Sequence, residues 1–343
     1  MHPHPLKDIA RQAGVGLATV DRVVNGRGGV RPQTARRVAQ AIAELEQQTL
    51  EATLHGRRFT IDLVMDAPLR FSDAVRGALD GLLPSLLPAV LRVRHHLSER
   101  AEPGEIAAVL RAIARRGSHG VILKAPNHPI TAAAIDALRG RRIPTVTLVT
   151  DVAASARVAY VGMDNRAAGE TAAFLIAAWL GARPDGAGGG VLVALSSHRF
   201  LGEEEREAGF RAALARDAPA VTVTGLAEAR GLDRETRALA LDVLEAAPSV
   251  RAVYSIGGGN AAILSAFDAL KRPCDVFVGH DLDADNRALL RSRRLQAVLH
   301  HDLARDLREA CLAILRDNRA LPPGPAPSLS ACAVITPFNL PEE

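Results

Sequence analysis

Aromatic residues are scarce in this 343-residue chain: one Trp, two Tyr and eight Phe amount to 3% of it. Its cores must therefore be built from Ala, Leu and Val. Hydrophobic residues at 48% suffice for that, at a length that corresponds to about two or three domains. Cysteine is equally sparse. Cys274, Cys311 and Cys332 are odd in number, widely spaced and set in apolar surroundings, which excludes a disulfide framework and predicts buried thiols. Long uncharged apolar runs are missing too. The best candidate, Leu82 to Leu91, is too short to span a bilayer and is broken by Pro84 and Pro88. The first residues, MHPHPLKD, have no apolar stretch of the kind a secretory signal needs. A soluble, cytoplasmic protein without membrane contact is expected.

Signatures of catalysis are absent as well. His95-His96, His280-Asp281 and His300-His301-Asp302 come without an HExxH pattern or paired Cys/His ligands. Ser196-Ser197-His198 lacks the glycines of a nucleophile elbow. No Lys-Ser/Thr follows Gly257-Gly258-Gly259, so a phosphate loop is disfavoured. No enzyme, cofactor or metal site is expected.

What is present is concentrated at the start. Residues 1–58 hold nine Lys and Arg against five Asp and Glu, an excess equal to the whole chain's net +4. A local basic module fits a polyanionic partner, or else is only an arginine-rich solvated surface. Leu6, Ile9, Ala10 and Ala13 share one helical face, and Gly14 ends that helix. Val15 plugs the turn. A second helix begins near Leu17, buries Val20, Val23 and Val24, and stops at Asn25-Gly26. Pro32 suits the first turn of a third, whose stripe is Ala35, Val38, Ala39, Ile42 and Leu45. Three short helices on a small core, with basic flanks, suit a helix-turn-helix.

From Thr60 onward, β-branched apolar runs alternate with helical patterns. Ten strands are predicted, from Thr60–Met65 to Gln296–His300, with nine helices between and after them. This is a parallel α/β pattern, with sites expected at strand carboxyl ends. Its length favours two similar lobes.

The N-terminal motif strongly resembles the lactose/galactose repressor (LacI/GalR) family of transcription regulators. It is carried by Asp8-Ile9-Ala10, Ala13-Gly14-Val15, Thr19-Val20, Arg22-Val23, Asn25, Val30, Thr34 and Val38. The larger region resembles the effector domain shared with periplasmic sugar-binding proteins of the ribose type. There the matching stretches are Tyr160 to Asn165 with Ala168-Gly169, Arg206 to Arg211, Tyr254 to Asn260, Gly279 to Leu282, and Val334 to Thr336. The implied architecture is a helix-turn-helix domain over 1–45, a linker or hinge over 46–59, and a type I two-lobed domain with parallel sheets over 60–343. Crossovers near 160–162, 281–284 and 323–330 give a first lobe of about 60–160 and 284–325, and a second of about 162–282 and 326–343.

The resemblance puts Leu17, Ala18, Thr19 and Arg22 on a recognition helix, with Asn25 and Arg31 among the DNA-binding residues. Arg22 has the fork that suits a guanine, and Leu17 and Ala18 suit a thymine methyl. Arg27, Arg31, Arg36 and Arg37 fit backbone positioning, with a plain surface role open for Arg36 and Arg37. Gly16 and Asp21 depart from the family's hydroxyl residues. Asp21 either repels phosphate or orients Arg22 through a salt bridge. The family's Tyr-Pro-Asn element is missing from Glu46 to His55, where Leu54, or else Leu50, is the candidate minor-groove wedge.

For the ligand, the resemblance implies Arg206 and Asp281 as donor and acceptor to hydroxyl groups. Phe71 is the candidate for a sugar's ring face and Asp151 a further polar contact. Asn260 either reaches the cleft or caps a helix. His301 stands where relatives carry Gln or Asn. The implied partners are operator DNA, a small carbohydrate or polyol effector, and a second copy of the chain in a homodimer. The alternatives are a nucleobase effector, or a ligand-binding scaffold whose DNA module has decayed.

Overall fold

The computed structural model describes residues 4–54, 56–87, 89–181 and 189–342. Three helices open the chain: α1 (Leu6–Ala13), α2 (Leu17–Val24) and α3 (Pro32–Leu54). Gly14 terminates α1 at φ 61°, and its N–H bonds back to the Ala10 and Arg11 carbonyls. Ile9, Ala13, Val20, Val38 and Ala41 form a closed core, with Val15, Ile42 and Leu45 packed at its edge. Ala41, rather than the expected Ala39, takes the buried position.

α3 does not stop at a domain boundary near residue 45. It runs unbroken for 23 residues through most of the segment expected to be a linker. The cause lies in the sequence: Glu46 to Leu54 contains neither Pro nor Gly and is rich in good helix formers. The Leu54 side chain, the candidate wedge, lies outside the described residues, as does that of Leu50.

The first lobe follows as β1 (Arg58–Asp66), α4 (Leu69–Leu82), β2 (Val90–Ser98), α5 (Pro103–Arg116), β3 (Gly120–Lys124), α6 (Pro129–Gly140), β4 (Thr145–Leu148) and β5 (Ala159–Val161). Its sheet is parallel throughout, in the order β2-β1-β3-β4-β5. The chain then crosses into α7 (Asn165–Gly181), β6 (Gly190–Ala194), α8 (Leu201–Asp217), β7 (Thr222–Leu226), α9 (Asp233–Ala246), β8 (Val250–Ser255), α10 (Asn260–Ala269), β9 (Val276–His280), α11 (Ala284–Arg291) and β10 (Ala297–His300). After α12 (Leu303–Asp317), the short β11 (Ala333–Ile335) completes a second sheet of order β11-β10-β9-β8-β6-β7. Only β11 runs antiparallel.

The ten expected strands are all present, and β11 is added to them. One boundary needs correction. The second crossover lies after His300, not at 281–284, because β10 is hydrogen-bonded between β9 and β11. Thus α11 and β10 belong to the second lobe, and α12 alone returns to the first. There Leu307, Cys311, Ile314 and Leu315 share one core with Phe59, Ile61 and Val146. The third crossover passes through Ser330, which bridges to Met163 on the first. The cysteines are unpaired. Among the described residues no helix is long and apolar enough to cross a membrane.

Candidate functional site

Both sheets present their strand carboxyl ends to a cleft between the lobes, where an open α/β sheet offers its side chains. The first lobe lines it with Asp66 at the end of β1, Arg70 and Phe71 of α4, Lys124 at the end of β3, and Thr150 after β4. Across from them stand Ser196 and Ser197 after β6, Glu203 and Arg206 of α8, Gly257-Gly258 after β8, and His280-Asp281 at the end of β9.

Arg206 is placed by a close helix crossing. A Cβ at Gly169 of α7 would meet the Arg206 carbonyl at 1.9 Å, and one at Gly209 would meet the Arg166 carbonyl at 2.2 Å. Glycine at both positions lets α7 and α8 touch. Arg206, buried at 3% exposure, donates through Nε to Asn165 at 2.9 Å. Its Nη2 is buried without a partner among the described residues. Asp281 sits at φ 64° and leaves Oδ1 equally unpartnered. An unmet buried donor and an unmet acceptor in one cleft are each costly until something fills them.

Behind Asp281, His280 Nε2 is 2.8 Å from the Tyr254 hydroxyl. Burial, reinforced by Arg206, holds this imidazole well below its ordinary pKa and so neutral. Lys124 is buried in the cleft wall with Nζ 4.1 Å from the Phe200 ring centre and 5.9 Å from that of Phe71. It donates to the Asp66 carbonyl at 3.1 Å. Burial lowers the Lys124 pKa and raises that of Asp66, whose carboxylate accepts from the Ala101 N–H. Glu203 accepts from the Ser196 N–H at 2.7 Å and from its hydroxyl.

Three sets of contacts tie the lobes together beside the cleft. Arg70 donates to the Gly231 carbonyl at 2.6 Å and lies 3.4 Å from Asp283. Glu102 receives Arg199 at 2.6 Å and Arg230 at 2.7 Å, which hold its carboxyl down to about 2. Arg100 pairs with Glu235.

Of the six expected ligand residues, the structure therefore brings Phe71, Arg206 and Asp281 into the cleft, and it moves the other three out. Asp151 is turned away to Arg157 and the Thr147 hydroxyl. Asn260 donates to Asn286, which in turn donates to the His280 and Asp281 carbonyls. It shapes the Asp281 loop from behind. His301 is buried against Asp306 at 2.5 Å, with Nε2 3.7 Å from Asp281. Lys124, Glu203, Phe200 and Arg70 were missed. Lys124 closes the β-branched run of β3, which is the one signal the sequence offers for it.

On the N-terminal module, Leu17, Ala18 and Arg22 are exposed on α2 and Thr19 is half-buried. Arg22 and Arg31 form no ion pair among the described residues. Of the two readings of Asp21, the salt bridge that orients Arg22 is not formed: Asp21 pairs with Arg27 at 2.8 Å and accepts from Asn25 Nδ2 at 2.7 Å. Asn25 is thereby drawn back onto its own helix as the C-cap of α2. Arg37 donates to the Ala13 carbonyl at 2.8 Å, stapling the end of α1.

A helix-turn-helix joined to a two-lobed domain with a polar interlobe cleft defines a DNA-binding regulator that carries a small-molecule site. Residues 5–48 match the family model of the bacterial regulatory proteins, lacI family, and residues 94–315 match that of a periplasmic binding protein domain. The second match spans more than half of the chain, which belongs to the periplasmic binding protein domain family, and the first identifies its N-terminal module as a lacI-type helix-turn-helix. The sucrose operon repressor of Vibrio alginolyticus is 51% identical to it over 39 residues, a match that spans 11% of this chain and 42% of that relative. Among solved structures, the glucose-galactose binding protein GanP of Geobacillus stearothermophilus superposes with a TM-score of 0.72 at 19% identity, over 83% of this chain and 100% of its own. The arabinose binding protein AraP of the same organism gives 0.64 at 18% identity, over 82% and 97%. The fructose binding periplasmic domain of a hybrid two-component system gives 0.71 at 18% identity, over 82% and 91%. At these identities the likeness is one of fold.

Proposed function

We propose that this chain is a transcriptional repressor whose hold on its operator is set by a small carbohydrate or polyol bound between the lobes. The observation that carries the reading is the pair of unmet buried groups, Arg206 Nη2 and Asp281 Oδ1, in a cleft also lined by Phe71. A hydroxylated ring meets all three: it accepts from the arginine, donates to the carboxylate and lays an apolar edge on the phenylalanine. The names of these relatives, which include sucrose, glucose, galactose, arabinose and fructose, support the same class.

The working form is a cytoplasmic homodimer in which two copies of α2 read the half-sites of a pseudopalindrome. Leu17, Ala18, Thr19 and Arg22 face base edges, and Arg31 and Arg36 face phosphate. Effector binding changes the angle between the lobes, and α3, continuous to Leu54, carries the change to the modules. A ligand does this only through unequal affinity for two states. A ratio of about 10⁴ moves the population from 1:99 to 99:1.

Asp281→Ala tests the reading. The variant is expected to lose the thermal shift that a binding sugar gives the wild type while keeping its affinity for operator DNA. A variant that retains the sugar response would remove Asp281 from the site.

A further inference from the structure

Two of the three crossovers between the lobes bond to one buried carboxylate, and the remaining one reaches it through Ser330. Asp306, on the first turn of α12, is 2% exposed. Its Oδ2 lies 2.5 Å from Nδ1 of His301, the residue that opens the second crossover. Its Oδ1 accepts from the hydroxyl of Ser330 on the third. Ser330 in turn donates its N–H to the Gly162 carbonyl on the first crossover at 2.9 Å. Lobes that move relative to one another must do so about these segments, so Asp306 sits at the hub of the motion.

His301 joins that hub to the cleft. The ring is 1% exposed and does not line the cleft. A carboxylate accepts, so the bond to Asp306 places a proton on Nδ1 and aims Nε2 at Asp281. Nε2 and Asp281 Oδ1 are 3.7 Å apart, just beyond a hydrogen bond, and both are buried with no partner among the described residues. A shift of a few tenths of an ångström, on the scale of the gap above the 2.7–3.2 Å of a formed bond, would close the contact, with a second ring proton, on Nε2, as the donor, because both flanking carboxylates only accept.

We propose that His301 is a positioning residue for Asp281. It holds the carboxylate from behind and links it, through Asp306 and Ser330, to the crossovers. An effector that pulls on Asp281 then pulls on the hub, and the chain Asp281–His301–Asp306–Ser330 carries occupancy of the cleft to the hinge. This rests on the reading of Asp281 as the effector's acceptor.

Two measurements on the full chain test it. The first needs no ligand: nitrogen NMR of the protein labelled with ¹⁵N-histidine. Asp281→Asn is expected to move the His301 Nε2 resonance while leaving its Nδ1 resonance in place. Ser330→Ala, which keeps the Asp306 carboxylate, is expected to move Nδ1. An Nε2 signal indifferent to Asp281→Asn would overturn the proposal. The second is a double-mutant cycle on sugar affinity with Asp281→Asn and His301→Gln, read by calorimetry with D-glucose, D-galactose, D-fructose, L-arabinose and sucrose. If His301 acts through Asp281, the double variant binds within about threefold of Asp281→Asn alone, the scale on which independent changes still add. Losses that multiply would show a merely structural histidine and overturn the proposal. If none of these sugars binds the wild type, the effector reading fails, and the NMR arm still decides the role of His301.

Discussion

Arg70 and Gly231 are joined across the cleft, the guanidinium of α4 donating to the Gly231 carbonyl at 2.6 Å. The same side chain lies 3.4 Å from Asp283 and fills a notch left open by the lack of a side chain at residue 258. A Cβ on Gly258 would stand 2.4 Å from Arg70 Nη2, at a φ of 85° that L side chains rarely adopt. The glycine run that invites a nucleotide reading in the sequence is thus the socket of an interlobe bolt.

Arg70→Ala should therefore loosen closure. A hydrogen bond from a charged donor is worth about 1.5–3 kcal/mol, so effector affinity is expected to fall about tenfold or more. Pulsed EPR between spin labels on the two lobes should show a longer distance in the ligand-free variant. An unchanged distance would show that the bolt does not hold the lobes.

Closure should also depend on pH through Asp283. Burial pushes its carboxyl up to about 6 from an ordinary 3.8, with Arg70 opposing the shift. Between those values the folded protein keeps a proton that the unfolded chain has released. Stability is therefore lost as pH rises through that window. Relative to Asp283→Asn, which still caps α11, the wild type should lose on the order of 3 kcal/mol between pH 3.8 and about 6. Urea unfolding of both proteins at several pH values measures the difference. A gap independent of pH would contradict it.

In the first lobe, Asp62 is fully buried and receives Arg94 at 2.6 Å, with Arg116 and His96 each at 2.8 Å. Burial pushes its carboxyl up, but the hydrogen bonds from Arg94 and its neighbours more than offset this and hold it low. Asp62→Ala strands three cationic or hydrogen-bonding groups, and should cost about 3–5 kcal/mol in chemical denaturation. A loss below about 1 kcal/mol, the scale of a surface pair, would mean the cluster relaxes into water.

The arginines of the N-terminal module should separate by role. Arg37→Ala removes the staple on the Ala13 carbonyl and should lower thermal stability by about 1–2 kcal/mol. Arg36→Ala should instead reduce the salt dependence of DNA binding by about one unit of slope. Arg22→Ala should cost about 1–3 kcal/mol of sequence discrimination and leave sugar affinity alone. Anisotropy titrations at several salt concentrations, paired with melting curves, distinguish the three.

The sequence revealed the lobes because their strands are short β-branched runs with a period that nothing else in the chain imitates. It concealed the second crossover because β10 and β9 look alike as apolar runs, and only pairing with β11 decides which sheet takes β10. Arg206 and Asp281 were legible through motif matches. Lys124 was not, since a lysine at a strand end carries no mark of being stacked against Phe200. Asp151 and His301 misled for the opposite reason. Both are polar residues near strand ends, and only the fold shows that Arg157 and Asp306 claim them.

The most direct test of the account is a fluorescence-anisotropy titration of the full protein on DNA from upstream of its own gene, with and without each sugar of the panel. The account requires salt-dependent, sequence-selective binding that one sugar changes by tenfold or more, with the change lost in Asp281→Ala. Selective binding that no sugar alters, or no selective binding at all, would contradict it.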